Sequence, residues 1–261
     1  MTINTAIITG TGLYNLPNII LNDQESINTP YGEVHFRVGR CKTTKIVFIA
    51  RHGINHTLAP SQINFRANIY ALHKMGVKRI LATSVCGSLN AFWPPGTLLI
   101  LDQFINFTAG RADTFYPMEG KLAHIDLTEP YCPTLKNQLI ACAKISKIKL
   151  IPHGTYACTN GPRFESFAEI KMIKRLGGEL VGHTNYPECV LSRELSICYA
   201  SVVVVSNLAA GVAQTKLTAK EVSENLSDSV EKIDKLFTTL IDRYPSPEEC
   251  SCHHSLDHAF L

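Results

Sequence analysis

No stretch of the chain approaches the ~18–20 consecutive apolar residues a membrane-spanning helix requires. The start shows no charged-then-apolar leader of the kind that directs secretion. Charge is sparse: Asp, Glu, Lys and Arg make up 18% of residues, the net charge is +3, and no block of one sign marks a nucleic-acid or membrane surface. The dinucleotide fingerprint is missing too. Gly10-Thr11-Gly12 follows an apolar run, but no third glycine comes and Pro17 interrupts the helix that should begin there, which argues against a nicotinamide oxidoreductase. The nine cysteines are an odd number, scattered and mostly inside apolar elements, so no disulfide framework is expected. These absences together lead us to expect a reduced, cytoplasmic protein with neither nucleic acid nor membrane as partner.

What remains is ample for a core. At 261 residues and 45% hydrophobic, the chain suits one α/β domain, a mixed central sheet flanked by helices, over residues 1–244. From Tyr244 the composition turns to P-S-P-E-E-C-S-C-H-H-S-L-D-H. C-x-C-H-H does not fit a structural zinc spacing, so residues 245–261 are expected to be a mobile tail and no metal site is assigned.

Strands are expected at Thr5–Thr9, Val34–Val38, Lys45–Ala50, Val77–Thr83, Leu98–Leu101, His153–Thr159, Glu179–Val181 and Tyr199–Val205, the last unalternating and therefore buried on both faces. Helices are expected from Ser61 to about Met75, over Pro133–Lys147, from Glu165 or Ser166, and from Pro187. A final helix, capped by Thr218 with Glu221, carries Val222, Leu226, Ile233, Phe237 and Leu240 as its core stripe. The stretch from Asn106 to Pro130, holding Arg111, Tyr116 and His124, is too long for a simple connection and reads as a lid, binding loop or interface arm.

The polar residues gather at strand ends. Thr11, Arg51-His52, Ser84 and His183-Thr184 each fall just after an expected strand, and Ser206-Asn207 ends the buried one. In open α/β sheets ligands collect beyond the carboxyl ends of the strands. Thr11, Arg51, His52, Ser84 and Thr184 suit an oxyanion such as phosphate: a permanent cation, a histidine as second donor, hydroxyls and amides. Two of these motifs have a plainer reading as well, namely turn chemistry for G-T-G and a surface arginine beside a capping histidine for Arg51-His52. Cys86 reads as a buried structural thiol, since no base is set beside it. Glu165 is either a first-turn carboxylate favoured by the helix dipole or an acceptor aimed at a ligand. An amide such as Asn207 with a carboxylate suits the edge of a heterocycle, which gives the site an anion end and a base end.

The segments that carry these residues resemble the trimeric purine nucleoside phosphorylase and methylthioadenosine phosphorylase family over roughly residues 5–243. They are G-T-G-L at Gly10, A-R-H-G at Ala50, A-N-I-Y-A-L at Ala67, C-G-S at Cys86, D-Q-F-I at Asp102, E-P-Y-C-P at Glu129, G-P-R-F-E-S at Gly161 and H-T-N-Y-P-E at His183. G-T-Y-A-C-T-N-G-P-R and S-R-E-L look most like its bacterial methylthioinosine-cleaving members. The resemblance implies a homotrimer with sites near subunit interfaces and no cofactor beyond phosphate as co-substrate. By position it implies Thr11, Arg51, His52, Ser84, Val85 and Thr184 at phosphate, and His183 and Tyr156 at the sugar. Glu165 and Asn207, with Leu208 and Ala209 alongside, fall at the base, and His124 reaches toward a neighbour's site.

Three positions depart from the methylthioadenosine pattern. Asn207 and Ala209 stand where those enzymes carry aspartates, and Asn207 beside Glu165 is the arrangement of enzymes for 6-oxopurines. Ala219 stands about where enzymes for ordinary nucleosides place a histidine toward the 5′-hydroxyl, leaving room for a thiomethyl group. His183 replaces a methionine beneath the ribose. The implied reaction is phosphorolysis of a 6-oxopurine nucleoside, best S-methyl-5′-thioinosine, with inosine or guanosine second. Methylthioadenosine phosphorolysis and a non-catalytic nucleoside-binding protein are the alternatives.

Overall fold

Strands that alternate their side chains between two helical layers build the molecule, a computed structural model describing residues 3–116, 122–212, 226–245 and 249–260. Ala6 and Ile8 of β1 (Thr5–Thr9) face one layer while Ile7 faces the other. On the first face lie α1 (Phe65–Lys74) and α4 (Glu188–Glu194), through Ala67, Ile69, Leu72 and Leu191. On the second lie α2 (Pro133–Ser146) and α5 (Ser227–Arg243), through Leu135, Leu139, Ile233, Phe237 and Leu240. α3 (Phe167–Arg175) closes a small third cluster with Ile170, Ile173, Val181 and Ala209.

Among the described residues a mixed sheet of eleven strands runs β2 (Ile19–Thr29), β3 (Gly32–Cys41), β4 (Thr44–Ala50), β1, β5 (Arg79–Ser88), β10 (Leu180–Gly182), β9 (Thr155–Cys158) and β7 (Gln103–Asn106). A branch leaves β5 through β11 (Cys198–Leu208) to β6 (Leu98–Ile100) and β8 (Leu150–Ile151). β4, β1, β5 and β11 are mutually parallel, so their carboxyl ends share one edge. β10 meets the far end of β5 antiparallel, at Leu180 opposite Ser88.

Several boundaries differ from those read in the sequence. β5 does not stop at Thr83 but continues through Ser84 to Ser88, because β11 and β10 pair with it there. α1 starts after Asn64, whose side chain accepts from the Ala67 amide, while Pro60–Gln62 forms a separate 3-10 turn where Ser61 was expected to cap the helix. The Ser166–Glu169 capping box is formed as expected. Thr218, Ala219, Glu221 and Val222 lie outside the described residues. The expected mobile tail is different in kind: residues 251–254 make a 3-10 turn, Cys250 and Cys252 are buried, and Phe260 pairs with Ala123. Among the described residues no helix is long and apolar enough to cross a membrane.

Candidate active site

Two adjoining hollows open at the shared strand edge. One is lined by Gly10, Thr11, His52, His56, Ser84 and Thr184. The other, of about 230 Å³, is lined by Glu165, Ser206, Asn207, Ala209 and Phe164. Thr11, Val85, Pro162 and His183 border both, so the polar and heterocycle ends expected from the sequence are neighbours.

Local backbone features aim these side chains. Between Val205 and Asn207 the register of β11 against β5 slips by one residue. A bulge of this kind re-aims side chains, and here consecutive residues Ser206 and Asn207 both line one hollow instead of facing opposite sides. The Asn207 amide is then held by polarity: Ser206 Oγ donates to Oδ1 at 2.7 Å and Nδ2 donates to the Leu208 carbonyl at 3.1 Å. Its second Nδ2 proton remains for a ligand. Leu208 itself does not line the hollow.

Glu165 accepts from Thr159 Oγ1 at 2.6 Å and from His183 Nε2 at 3.3 Å, both on Oε1. Burial alone would raise its pKa, but these two donors outweigh it and hold the carboxyl below its ordinary value. Glu165 is therefore a carboxylate at neutral pH. His183 can approach because Gly161 has no side chain; a Cβ there would come within 2.7 Å of Nδ1. His183 thus touches Glu165 as well as the space where a sugar was expected.

Two sequence expectations change at the anion end, and a third at the sugar. Arg51 is 1% exposed and lines neither hollow. Its Nε and Nη2 donate to the two oxygens of Glu188 at 2.8 and 2.6 Å, and Nη1 donates to the Thr83 carbonyl at 2.9 Å. It stands behind Gly10, whose added Cβ would lie 3.0 Å from Nη1, so it is a backing charge and not an open clamp. His52 was read as a donor to phosphate. Burial lowers its pKa to about 4, and its Nδ1 donates to the Leu58 carbonyl at 2.8 Å, so neutral His52 offers Nε2 as an acceptor. Tyr156, expected at the sugar, is wholly buried beneath Gly182, where an added Cβ would overlap its hydroxyl.

Other residues fall as read or lie elsewhere. Ser84 and Thr184 line the first hollow, where the anion was expected, and Val85 borders both. Burial raises the Cys86 pKa, keeping it a thiol. Its Sγ donates to the Val204 carbonyl at 3.5 Å, as a structural cysteine would. His124 lies in neither hollow; its amide donates to the Ala259 carbonyl at 2.7 Å. Arg111 pins the long loop to the body through the carbonyls of Tyr186, Thr159 and Asn160.

Three residues behind the site were not singled out in the sequence. Asn185 Nδ2 donates to Ser84 Oγ at 2.6 Å, Tyr199 Oη donates to Glu188 at 2.8 Å, and Glu188 holds Arg51. Asn185 and Glu188 belong to the H-T-N-Y-P-E segment, whose polar density at one strand tip was the available signal. Glu188 in a first helical turn looks like an ordinary dipole-favoured carboxylate until Arg51 is seen beside it.

Residues 4–242 match the model of the phosphorylase superfamily. The chain is 49% identical over 253 residues to the probable 6-oxopurine nucleoside phosphorylase of Dictyoglomus turgidum, covering 96% of this chain and 95% of the relative. It is 42% identical over 237 residues to the probable S-methyl-5′-thioinosine phosphorylase of Thermodesulfovibrio yellowstonii, covering 90% and 89%. Among solved structures, the methylthioadenosine phosphorylase from Schistosoma mansoni in complex with adenine superposes with a TM-score of 0.89 at 27% identity, covering 95% of this chain and 93% of that one. With a family match along nearly its whole length and the same fold in a solved relative, this chain belongs to the phosphorylase superfamily.

Proposed function

We propose that the chain is a purine nucleoside phosphorylase acting on 6-oxopurine nucleosides. Its best substrate is S-methyl-5′-thioinosine, which with phosphate gives hypoxanthine and 5-methylthioribose 1-phosphate. The observation that carries this reading is the paired polarity of the base hollow. Glu165 is an ionised acceptor, and Asn207 is fixed with an N–H to give. A 6-oxopurine presents N1–H to the first and O6 with N7 to the second; adenine presents a lone pair at N1 instead.

Phosphate sits in the adjoining hollow, taking donors from the Thr11, Ser84 and Thr184 hydroxyls and giving its own O–H to His52 Nε2. Ser84 can donate because Asn185 already occupies its oxygen. Arg51 contributes its charge from behind Gly10. The sugar spans the border at His183 and Val85, which brings a phosphate oxygen beneath C1′; positioning of this kind is a large part of such catalysis. As the glycosidic bond lengthens, the sugar gains oxocarbenium character and the leaving purine gains negative charge. Asn207 Nδ2–H stabilises that charge at O6 and N7, a preorganised donor of the kind that lowers such barriers most. Glu165 holds N1–H and so fixes the ring plane.

This reading also takes the enzyme as a cytoplasmic homotrimer with phosphate as its sole co-substrate, residues 1–244 forming the catalytic domain. His124 borders the pocket of a neighbouring subunit, Ala209 flanks the base, and Ala219 leaves the 5′ end of the nucleoside apolar. None of the nine cysteines is paired in a disulfide, which suits a reducing compartment. Incubation with methylthioinosine, inosine and methylthioadenosine, each with and without phosphate, tests the proposal. Free base should form only with phosphate or arsenate, fastest from methylthioinosine. Base release at the same rate without phosphate would make the protein a hydrolase, and a preference for methylthioadenosine would overturn the base assignment.

A further inference from the structure

Far from the hollows, four cysteines from three separate parts of the chain converge. Cys132 caps the start of α2, Cys198 begins β11, and in the C-terminal segment Cys250 precedes the 3-10 turn and Cys252 lies within it. All four are buried, and their sulfurs lie within 4.8 Å of one another, with Cys132–Cys250 at 3.4 Å and Cys250–Cys252 at 3.5 Å. A tetrahedron of thiolates bound to zinc at ~2.3 Å has sulfur–sulfur edges of about 3.8 Å. The observed spacing is near that edge. The remaining five cysteines, Cys41, Cys86, Cys142, Cys158 and Cys189, belong to no such group among the described residues.

The geometry points to a structural zinc site made by Cys132, Cys198, Cys250 and Cys252, which fastens the C-terminal segment to the catalytic body. Soft thiolates select thiophilic ions, and four protein ligands leave no open position, so the site holds structure and does no chemistry. Binding converts four thiols to thiolates and releases their protons, leaving a centre of net charge −2. The surroundings match that charge. Arg193 Nη1 approaches Cys252 Sγ at 3.2 Å, His253 Nε2 lies 3.6 Å from Cys198 Sγ, Thr134 Oγ1 donates to Cys250 Sγ at 3.4 Å, and the Leu135 amide donates to Cys132 Sγ at 3.4 Å. Such donors orient and stabilise thiolate ligands.

The C-x-C pair alone does not signal this site, since its two partners come from positions 132 and 198 and only the fold unites them. Its consequence reaches the long loop. Beyond the cluster, Phe260 bridges to Ala123 and packs edge-on against Tyr116 at 5.1 Å between ring centroids, while the Ala259 carbonyl takes the His124 amide. A metal at the four cysteines would therefore hold the segment that props His124.

The test is metal content of the full-length protein, purified under reducing, chelator-free conditions and then equilibrated with Zn²⁺ or Co²⁺ and desalted. We expect about one equivalent per chain, with Co²⁺ giving the thiolate charge-transfer and ligand-field absorption of a tetrahedral site. Cys252→Ser and Cys132→Ser should lose that metal, and Cys142→Ala should keep it. Should the serine variants fail to fold, the wild-type protein decides: a mercurial should release its zinc and raise hydrogen exchange at the amides of His124 and Ala259 while the central strands stay protected. Substoichiometric metal after equilibration would overturn the proposal, as would mass-spectrometric detection of a disulfide among these four cysteines in the freshly isolated protein.

Discussion

Arg51 and Glu188 meet edge to edge, Nε on one carboxylate oxygen at 2.8 Å and Nη2 on the other at 2.6 Å, with neither side chain exposed. The pair lies 137 residues apart in sequence and joins the end of β4 to the first turn of α4. Burial by itself would weaken the guanidinium's hold on its proton, but the facing carboxylate more than restores it. Removing one member of such a pair leaves an uncompensated buried charge, at a cost of about 3–5 kcal/mol. Glu188→Gln should therefore lose about that much stability in denaturant unfolding. A loss below about 1 kcal/mol would mean that Arg51 finds another partner.

In the proposed phosphate site Asn185 acts through Ser84. By filling the Ser84 oxygen at 2.6 Å it turns the hydroxyl proton toward the anion hollow. Asn185→Ala frees that hydroxyl to rotate and leaves a buried oxygen short of a donor, worth about 1–3 kcal/mol. The expected result is a KM for phosphate raised about ten- to a hundredfold, with the KM for nucleoside little changed. Equal increases in both would show a general loss of structure instead of a positioning role.

His52 makes stability depend on pH in a definite direction. Burial, ahead of the charge of Arg51, lowers its folded pKa to about 4, whereas the unfolded side chain titrates near 6.5. Between those values the unfolded chain binds the extra proton, so stability is full above about pH 6.5 and falls as pH drops toward 4. The effect of this one group is at most about 3 kcal/mol at pH 4. Unfolding of the wild type and His52→Gln across that range should show a shallower decline in the variant; parallel curves would count against the neutral buried imidazole.

The sheet and the strand-end residues were legible because buried strands and their polar tips are local patterns. Tyr199–Val205 announced a central strand, and Thr11 and Thr184 reached the anion hollow from just beyond strand ends, while Ser84 reached it from within β5. What was not legible needed partners remote in sequence. Arg51 looked like an open clamp because Glu188 was invisible beside it, and Tyr156 looked like a sugar contact because nothing local reveals the cover of Gly182. The bulge that turns Ser206 toward Asn207 depends on pairing with β5. The C-terminal cysteines were read as part of a tail for the same reason: their two partners, Cys132 and Cys198, sit 118 and 52 residues from Cys250.

The sharpest prediction concerns Asn207. Its amide is locked between a donor, Ser206 Oγ, and an acceptor, the Leu208 carbonyl, and a flipped amide would set oxygen against oxygen at Leu208. The group facing the ligand is thus an N–H, complementary to O6 and N7 of a 6-oxopurine. Asn207→Asp removes that donor and brings a carboxylate oxygen to the Leu208 carbonyl, so the new carboxyl must hold a proton or lose its place. In either state it accepts from a 6-amino group better than the amide does. The ratio of kcat/KM for methylthioinosine over methylthioadenosine should fall about ten- to a hundredfold, mainly through loss on methylthioinosine, since one unmet hydrogen bond in a buried site costs about 1–3 kcal/mol. Glu165 still meets the N1 lone pair of adenine in this variant, so full reversal of preference requires Glu165→Gln as well, whose amide can donate to that lone pair. A ratio unchanged in Asn207→Asp would mean that the amide does not read the six-position, and base choice would then rest on Glu165 alone.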